Sequence, residues 1–198
     1  MALIALDADG VLLDYHAAYR DAWSRAFGYL PSLRDPHAYW PIDRWDVEKL
    51  LGPRLAHFRS HFNEEFWSSI PPCKGAIEAC QRLRAAGYEL VCVSAIEDQF
   101  LAARTKNIQD CGFPVDRVYA THGTAGPISP KAETLAKLSP VAFVDDYLPY
   151  MRGLPADIHA ALVVREPNGS PNTGDELRIV QSQHKDLDAF STWWLANT

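Results

Sequence analysis

An apolar run near the amino terminus ends abruptly in two carboxylates and a glycine, and this feature strongly limits the possible folds. The run Ile4-Ala5-Leu6 is followed by Asp7, Asp9 and Gly10. A short apolar run bounded by a turn signal is typical of a buried strand in a parallel sheet. Open α/β sheets bind ligands at the carboxyl ends of their strands. Because charges beside a buried strand need partners, we expect a metal ion or a basic side chain next to Asp7 and Asp9.

Length and composition narrow the class of protein. A chain of 198 residues that is 47% hydrophobic suits one domain, or one domain carrying an insertion. The net charge of −6 disfavours nucleic acid and anionic membranes as partners. No apolar stretch approaches the roughly 20 residues that span a bilayer, and we expect no signal peptide. The spacing of the cysteines matches no zinc site, so we interpret them as reduced thiols of a cytoplasmic protein: Cys73, Cys80, Cys92 and Cys111.

The periodicity of apolar residues changes once along the chain. Residues 15–72 are predicted to be helical without a strand, including a helix from Asp43 to Leu51 and a longer one from Pro53 to Ser69. Beyond residue 72, predicted strands alternate with helices, which indicates a parallel sheet covered by helices on both faces. The sequence therefore predicts an α/β fold, a three-layer Rossmann-like parallel sheet built from residues 1–14 and 73–198, with 15–72 inserted after the first strand.

Polar residues follow four of the predicted strands. They are Asp7 with Asp9, Ser94, the loop leading to Lys131, and Asp145 with Asp146. Since the carboxyl ends of parallel strands share one edge of a sheet, these residues are expected to meet in one crevice. A group of carboxylates suits Mg²⁺, which takes substrate phosphate as a further ligand. One carboxylate could then attack phosphorus, while a second protonates the leaving oxygen and later activates water.

Binding of the phosphate itself is expected at the same edge. Ser94 and the backbone N–H groups near it are the candidates to hold phosphate oxygens, and the candidate substrate-binding residues are Gly10, Ser94 and Ala95. Lys131 is the candidate to neutralise the nucleophile and the developing negative charge. Two other lysines compete with it, Lys106 and Lys137.

Two aromatic stretches leave alternatives open. Residues 37–45 are rich in aromatic side chains, and a substrate-facing wall explains them as well as packing of the insertion against the core does. Trp193 and Trp194, near the carboxyl terminus, are expected to serve in packing or in the surface of a homodimer rather than in chemistry.

The ordered motifs resemble those of the haloacid dehalogenase (HAD) superfamily, most of whose members are phosphatases. The first family motif, DxDG[TV], is similar to Asp7-Ala8-Asp9-Gly10-Val11, and the second, an apolar strand ending in Ser or Thr, to Val91-Cys92-Val93-Ser94. Lys131 stands for the third motif. The fourth, an apolar strand ending in acids, is similar to Val141-Ala142-Phe143-Val144-Asp145-Asp146. The resemblance spans roughly residues 3–165.

The resemblance implies a role for each matching position. Asp7 would be the nucleophile and Asp9 the general acid and base. Asp7, the backbone carbonyl of Asp9, and either Asp145 or Asp146 would bind Mg²⁺. The dehalogenase branch of the family lacks the second Asp of the first motif, so Asp9 argues against dehalogenation. The insertion at 15–72 would be the family's helical cap, which closes over the substrate.

The expected function is therefore Mg²⁺-dependent hydrolysis of a small phosphomonoester through an aspartyl-phosphate. The substrate would be a small phosphorylated metabolite, such as a sugar phosphate, a phosphoglycolate-like compound or a nucleotide. One alternative is a phosphomutase or phosphotransferase of the same fold, which passes the phosphoryl group to a hydroxyl other than that of water. A second is a non-catalytic HAD-like protein that binds a phosphorylated ligand, against which the intact acids argue.

Overall fold

The first strand lies near the middle of a parallel sheet, as its apolar sequence predicts. A computed structural model describes residues 2–198 of the chain. Its sheet has six strands in the order β3-β2-β1-β4-β5-β6, and every neighbouring pair is parallel. The strands are β1 (Leu3–Leu6), β2 (Glu89–Ser94), β3 (Arg117–Ala120), β4 (Ala142–Asp145), β5 (His159–Val163) and β6 (Ser182–His184).

Helices separate most of the strands and follow the last one. The α-helices are α1 (Tyr15–Phe27), α2 (Pro41–Arg44), α3 (Gly52–Arg59), α4 (Glu64–Ser68), α5 (Ala76–Ala85), α6 (Leu101–Asp110), α7 (Ala132–Leu138) and α8 (Leu187–Asn197). Three short 3₁₀ helices cover Asp98–Phe100, Leu148–Met151 and Gly174–Ile179. Among the described helices, none is long and apolar enough to cross a membrane.

The sheet has a hydrophobic core on each face. Ile4 and Leu6 belong to one buried cluster, while Ala5, between them, belongs to the other. This alternation follows from the two-residue period of a strand. A strand that is buried on both faces carries apolar residues at successive positions, and β1 does so. The predicted α/β class and parallel, helix-covered sheet are confirmed.

Helices α1 to α4 lie between β1 and β2 in sequence, within the segment predicted to be helical. The two ends of this segment run side by side, since Leu13 pairs with Pro72 and the Cys73 N–H donates to the Leu12 carbonyl at 2.8 Å. Asp14 caps α1 by accepting a hydrogen bond from the Ala17 N–H at 3.0 Å. The chain thus enters and leaves the segment through one narrow connection.

The helix boundaries within this segment differ from those predicted. The prediction of a helix from Asp43 to Leu51 is wrong. Helix α2 starts at Pro41 and ends before Trp45, because Trp45 has an extended backbone that pairs with Leu33. The helix expected from Pro53 to Ser69 is two helices, α3 and α4. Asn63 separates them by capping α4, accepting a hydrogen bond from the Phe66 N–H at 3.2 Å. An Asn followed by two Glu residues is a helix-start signal, and it defines the break.

The carboxyl-terminal tryptophans differ in their surroundings. Trp194 is buried and stacks on Phe190, whereas 37% of Trp193 is exposed. Trp194 therefore packs in the core, as one of the two expectations had it. The strand β6 was not predicted, because its three residues, Ser182–His184, have no apolar pattern and lie at the edge of the sheet.

Candidate active site

Asp7 and Asp9 lie at the carboxyl end of the central strand. Asp7 directly follows β1, and its backbone N–H continues the sheet by donating to the Val144 carbonyl at 2.8 Å. The Asp7 side chain is buried, whereas 27% of the Asp9 side chain is exposed. Two neighbouring carboxylates therefore lie at the same edge of the sheet, one buried and one partly exposed.

Lys131 joins two of the predicted strand ends. This residue immediately precedes α7, and its fully buried Nζ lies 2.5 Å from Oδ1 of Asp7 and 2.6 Å from Oδ2 of Asp145. Burial alone would lower the pKa of Lys131, but the combined upward effect of Asp145 and Asp7 is larger. The net shift is therefore upward, and the ammonium stays charged. The two competing lysines pair with exposed carboxylates on their own helices, Lys106 with Asp110 and Lys137 with Glu133.

Asp145 and Asp146 have different partners although they are adjacent. Both oxygens of Asp145 accept hydrogen bonds, Oδ2 from Lys131 and Oδ1 from the Tyr147 N–H at 2.9 Å. The side-chain hydrogen bonds of Asp146 all go to Oδ2, from Nε and Nη2 of Arg165 at 3.0 and 2.6 Å. Oδ1 of Asp146 is free of these contacts.

Burial raises the pKa of three carboxyl groups at this edge of the sheet, those of Asp9, Asp145 and Asp146. The pKa of Asp145 is raised well above its ordinary value by burial, despite the opposing effect of Lys131. Burial likewise raises the pKa of Asp146 to about 6, against the influence of Arg165. The pKa of Asp9 is raised by burial and, more weakly, by Asp7, while Arg104 lowers it. A concentration of buried acids of this kind favours a bound cation.

Three of the carboxylates lie close enough together to hold a metal ion. Asp7, Asp145 and Asp146 each offer one oxygen, and these atoms lie within 4.8 Å of one another. An all-carboxylate donor set suits a hard cation such as Mg²⁺. Gly10 leaves room for the cluster, because a Cβ at its positive φ of 87° would sit 2.3 Å from Oδ2 of Asp146. The residues therefore fit the predicted cofactor, while the Asp9 carboxylate lies outside the group.

The three residues predicted to bind phosphate have different positions. The backbone N–H of Gly10 donates to the Leu13 carbonyl at 2.8 Å. Gly10 stays a predicted substrate-binding residue, and the clearance that it leaves beside Asp146 is a separate reason for a glycine at this position. Ser94 ends β2 and is buried, and Ala95, directly after it, lines the cleft above the carboxylates.

The cleft is mostly aromatic away from the acids. It has a volume of ≈ 380 Å³, and Asp7, Asp9 and Asp146 lie in its wall. Six aromatic side chains also line it: Tyr15, Tyr39, Trp40, Trp67, Tyr147 and Tyr150. Two of these, Tyr39 and Trp40, come from the aromatic stretch 37–45, so that at least this part of the stretch faces the cleft. A mainly aromatic pocket with a few converging polar groups is typical of a small-molecule site.

Sequence reasoning missed two arginines at the site. Arg165 follows β5 and reaches Asp146, so the strand-end rule that found the acids could also have found it. Arg104 lies in α6, is fully buried and contacts Asp9, with Nη2 2.8 Å from both carboxylate oxygens. No sequence signal marks Arg104, since an arginine in an amphipathic helix is ordinarily a surface residue.

Comparison with known proteins identifies the family. The family model described as haloacid dehalogenase-like hydrolase matches residues 1–148. The chain belongs to this family. The match includes every predicted site residue of this HAD-like hydrolase, whereas Arg165 lies beyond it.

Individual relatives cover different shares of the HAD-like chain. A putative 5′(3′)-deoxyribonucleotidase from Bordetella bronchiseptica is 32% identical over 97 residues, which are 48% of this chain and 50% of the relative. The chain thus spans about half the length of the curated relatives it matches.

Among solved structures, a HAD family hydrolase from Deinococcus radiodurans with bound phosphate and sodium has a TM-score of 0.67 at 16% identity, covering 99% of this chain and 96% of that one. A putative beta-phosphoglucomutase from Thermotoga maritima has a TM-score of 0.62 at 15% identity over the whole of both chains. Similar folds also occur in L-2-haloacid dehalogenases. At these identities the likeness concerns the fold alone.

Proposed function

We propose that this protein hydrolyses a small phosphomonoester, with Mg²⁺ as cofactor and an aspartyl-phosphate as intermediate. The observation that carries the proposal is the pairing of Asp7 with Lys131 inside a three-carboxylate cluster, beside the partly exposed Asp9. An enclosed carboxylate and a second, proton-carrying one facing the same cleft are the two groups that this reaction needs.

Asp7 is the proposed nucleophile. Its Oδ1 is held by Lys131, so the other oxygen, Oδ2, is the one left to form a bond to phosphorus as the leaving oxygen departs. Lys131 stays charged and offsets negative charge on Asp7 and Asp145 before and during the attack. Ser94 and Ala95, at the end of the neighbouring strand, are the proposed contacts for the phosphate oxygens.

Asp9 is the proposed general acid and base. The raised pKa of its carboxyl group favours the protonated form that donates to the leaving oxygen. The resulting carboxylate can then take a proton from the water that hydrolyses the intermediate. The dehalogenase branch of the family lacks the second Asp of the first motif. The presence of Asp9 therefore supports a phosphatase over a dehalogenase.

Asp7 and Asp146, with the backbone carbonyl of Asp9, are the residues proposed to hold Mg²⁺. Asp146 is favoured over Asp145 as the direct ligand because both oxygens of Asp145 accept hydrogen bonds, from Lys131 and from the Tyr147 N–H, whereas Oδ1 of Asp146 accepts none from residues 2–198. When bound, Mg²⁺ neutralises charge on the transferring phosphoryl group. Asp145 then has the separate role of holding Lys131 in place.

The proposed substrate is a nucleoside monophosphate. Six aromatic rings line the cleft, and a planar base can stack on such rings at about 1–3 kcal/mol per base. The relative from Bordetella bronchiseptica bears the name of a putative deoxyribonucleotidase, which supports the same substrate class. A sugar phosphate or phosphoglycolate offers no comparable flat apolar surface.

Phosphate release from a panel of phosphomonoesters, with and without Mg²⁺, tests the reaction. We expect metal-dependent release from the wild type, none from Asp7→Asn, and wild-type rates from Asp110→Asn, which changes an exposed acid on α6. A covalent phosphate on the peptide containing Asp7 should be trapped by acid quenching. If no member of the panel is hydrolysed, the protein is not a phosphatase.

A change in the aromatic wall tests the substrate class. Trp40 is 42% exposed and lines the cleft, so Trp40→Ala should fold normally. We expect the KM for nucleoside monophosphates to rise about 5- to 150-fold in this variant, from the loss of one stacking partner. The KM for phosphoglycolate should stay unchanged. Equal effects on both substrates would rule out a base-stacking role for the wall.

A further inference from the structure

We infer that Arg104 is a positioning residue for Asp9, and this inference rests on the proposed phosphatase function. Arg104 lies in α6 with no exposed surface. Its Nη2 lies 2.8 Å from both Oδ1 and Oδ2 of Asp9, and Arg104 itself is not among the residues that line the cleft. A single donor shared by both oxygens restricts rotation of the carboxylate and leaves its exposed side facing the substrate.

The cost of burying Arg104 argues against a purely structural role. Within residues 2–198, Nε and Nη1 of Arg104 are buried and have no hydrogen-bond partner. Unsatisfied donors and a buried charge both reduce stability, and an apolar side chain of similar length would avoid this cost. A structural arginine ordinarily has its donors paired. Here the hydrogen bonds go to Asp9 alone, which indicates that the contact serves the carboxylate.

Arg104 also links Asp9 to the wall of the cleft. Its guanidinium lies 5.0 Å from the centre of the Trp67 ring, which lines the cleft and belongs to α4. Helix α6 is anchored to the end of the same helical segment by Asn107, whose Nδ2 donates to the Ile70 carbonyl at 2.9 Å. One buried side chain thereby contacts both the proposed acid and an aromatic side chain that lines the cleft.

The step that depends on this placement is protonation of the leaving group. An Asp7 oxygen forms a bond to phosphorus, the bond from phosphorus to the leaving oxygen breaks, and the proton of Asp9 moves to that oxygen. Asp9 becomes a carboxylate, and Arg104 already contacts both its oxygens. A misplaced acid slows this step when the leaving group is a poor one, but not when the leaving group departs readily as an anion.

A comparison of leaving groups in Arg104→Met tests the inference. Benzyl phosphate has a poor leaving group and p-nitrophenyl phosphate a good one, although their sizes are similar. We expect Arg104→Met to lower kcat/KM roughly 10- to 100-fold on benzyl phosphate and less than about threefold on p-nitrophenyl phosphate. Lys106→Met, which removes an exposed charge from the same helix, should change neither value. Arg104→Lys, which keeps the charge, should show a smaller loss on benzyl phosphate.

The outcomes distinguish failure of the role of Arg104 from failure of the proposed function. Equal losses on the two substrates, or no loss on either, in a folded Arg104→Met or Arg104→Lys protein would overturn the role of Arg104 and leave the phosphatase intact. A wild-type protein that hydrolyses neither compound nor any nucleotide would overturn the proposed function, and the role of Arg104 with it. If Arg104→Met does not fold, Arg104→Lys decides the question by the same ratio of kcat/KM values.

Discussion

Lys131 and Asp7 form a buried ion pair across 124 residues of sequence, with Nζ of the lysine 2.5 Å from Oδ1 of the aspartate. The same ammonium contacts Asp145 at 2.6 Å, so one cation compensates two enclosed carboxylates. This relationship makes the edge of the sheet both a stability element and the centre of the proposed chemistry.

Removal of the Lys131 charge should destabilise the protein. In Lys131→Met, Asp7 and Asp145 would be buried without a cation, and breaking a buried pair in this way costs about 3–5 kcal/mol. Urea unfolding at neutral pH without metal measures the loss. Lys137→Met is the control, because solvent screens its exposed pair with Glu133 and the loss of that pair should change stability little. Equal stabilities of the two variants would contradict the assignment.

Binding of Mg²⁺ should separate the roles of Asp145 and Asp146. A ligand at 100 times its Kd stabilises the folded state by about 2.7 kcal/mol, which a shift in Tm detects. We expect Asp146→Asn to lose the Mg²⁺-dependent rise in Tm. Asp145→Asn should have a lower Tm without metal, since the neutral amide removes a negative charge that pairs with Lys131. It should nevertheless retain the Mg²⁺-dependent rise in Tm. The reverse pattern would make Asp145 the direct ligand.

Gly10 should tolerate no side chain. In Gly10→Ala, the added Cβ would lie 2.3 Å from Oδ2 of Asp146 and displace that carboxylate. We expect a loss of stability larger than that of Gly28→Ala, and a loss of the Mg²⁺-dependent rise in Tm. Gly28 is the matched control, because it has a similar φ of 77° but no atom within 4 Å of an added Cβ. Its substitution should cost about 1–2 kcal/mol from backbone strain alone.

The acids of the site and the neighbouring Ser94 could be predicted from sequence because one rule places them. Asp7, Ser94 and Asp145 each follow an apolar run, and parallel strands bring such positions to one edge whatever the rest of the chain does. The sheet itself was predictable for the same reason. Helix boundaries in residues 41–69 were not, because a proline start and an Asn cap divided a continuous apolar pattern.

The partners of the acids could not be predicted, because they depend on packing between elements distant in sequence. Arg104 is 95 residues from Asp9, and its burial results from the way α6 packs against α4. Nothing in the local sequence distinguishes it from Arg82 or Arg84, which are on α5 and exposed enough to pair near the surface. The sequence thus predicts the candidate reacting groups, whereas the structure shows which side chains contact them.

His16 should make the stability of the protein depend on pH. Burial, and secondarily Arg165, lower the pKa of His16 to about 4, and its Nε2 contacts the Tyr39 carbonyl at 2.8 Å. In the unfolded chain His16 is protonated below about pH 6.5, whereas in the folded protein it stays neutral down to about pH 4. The free energy of unfolding therefore falls as the pH decreases from about 6.5 towards 4. By pH 5 the loss from this residue should reach about 2 kcal/mol.

Replacement of His16 by glutamine isolates this effect from the other titrating groups. The amide of the His16→Gln variant would keep a donor for the Tyr39 carbonyl but cannot be protonated, while Glu166 and Arg165 remain in both proteins. Urea unfolding at pH 7.5 and pH 5 should therefore show a stability loss about 2 kcal/mol smaller in His16→Gln than in the wild type. Parallel losses would mean that His16 is protonated in the folded state, and that its enclosure between the helical segment and the β5 end is looser than its 4% exposure indicates.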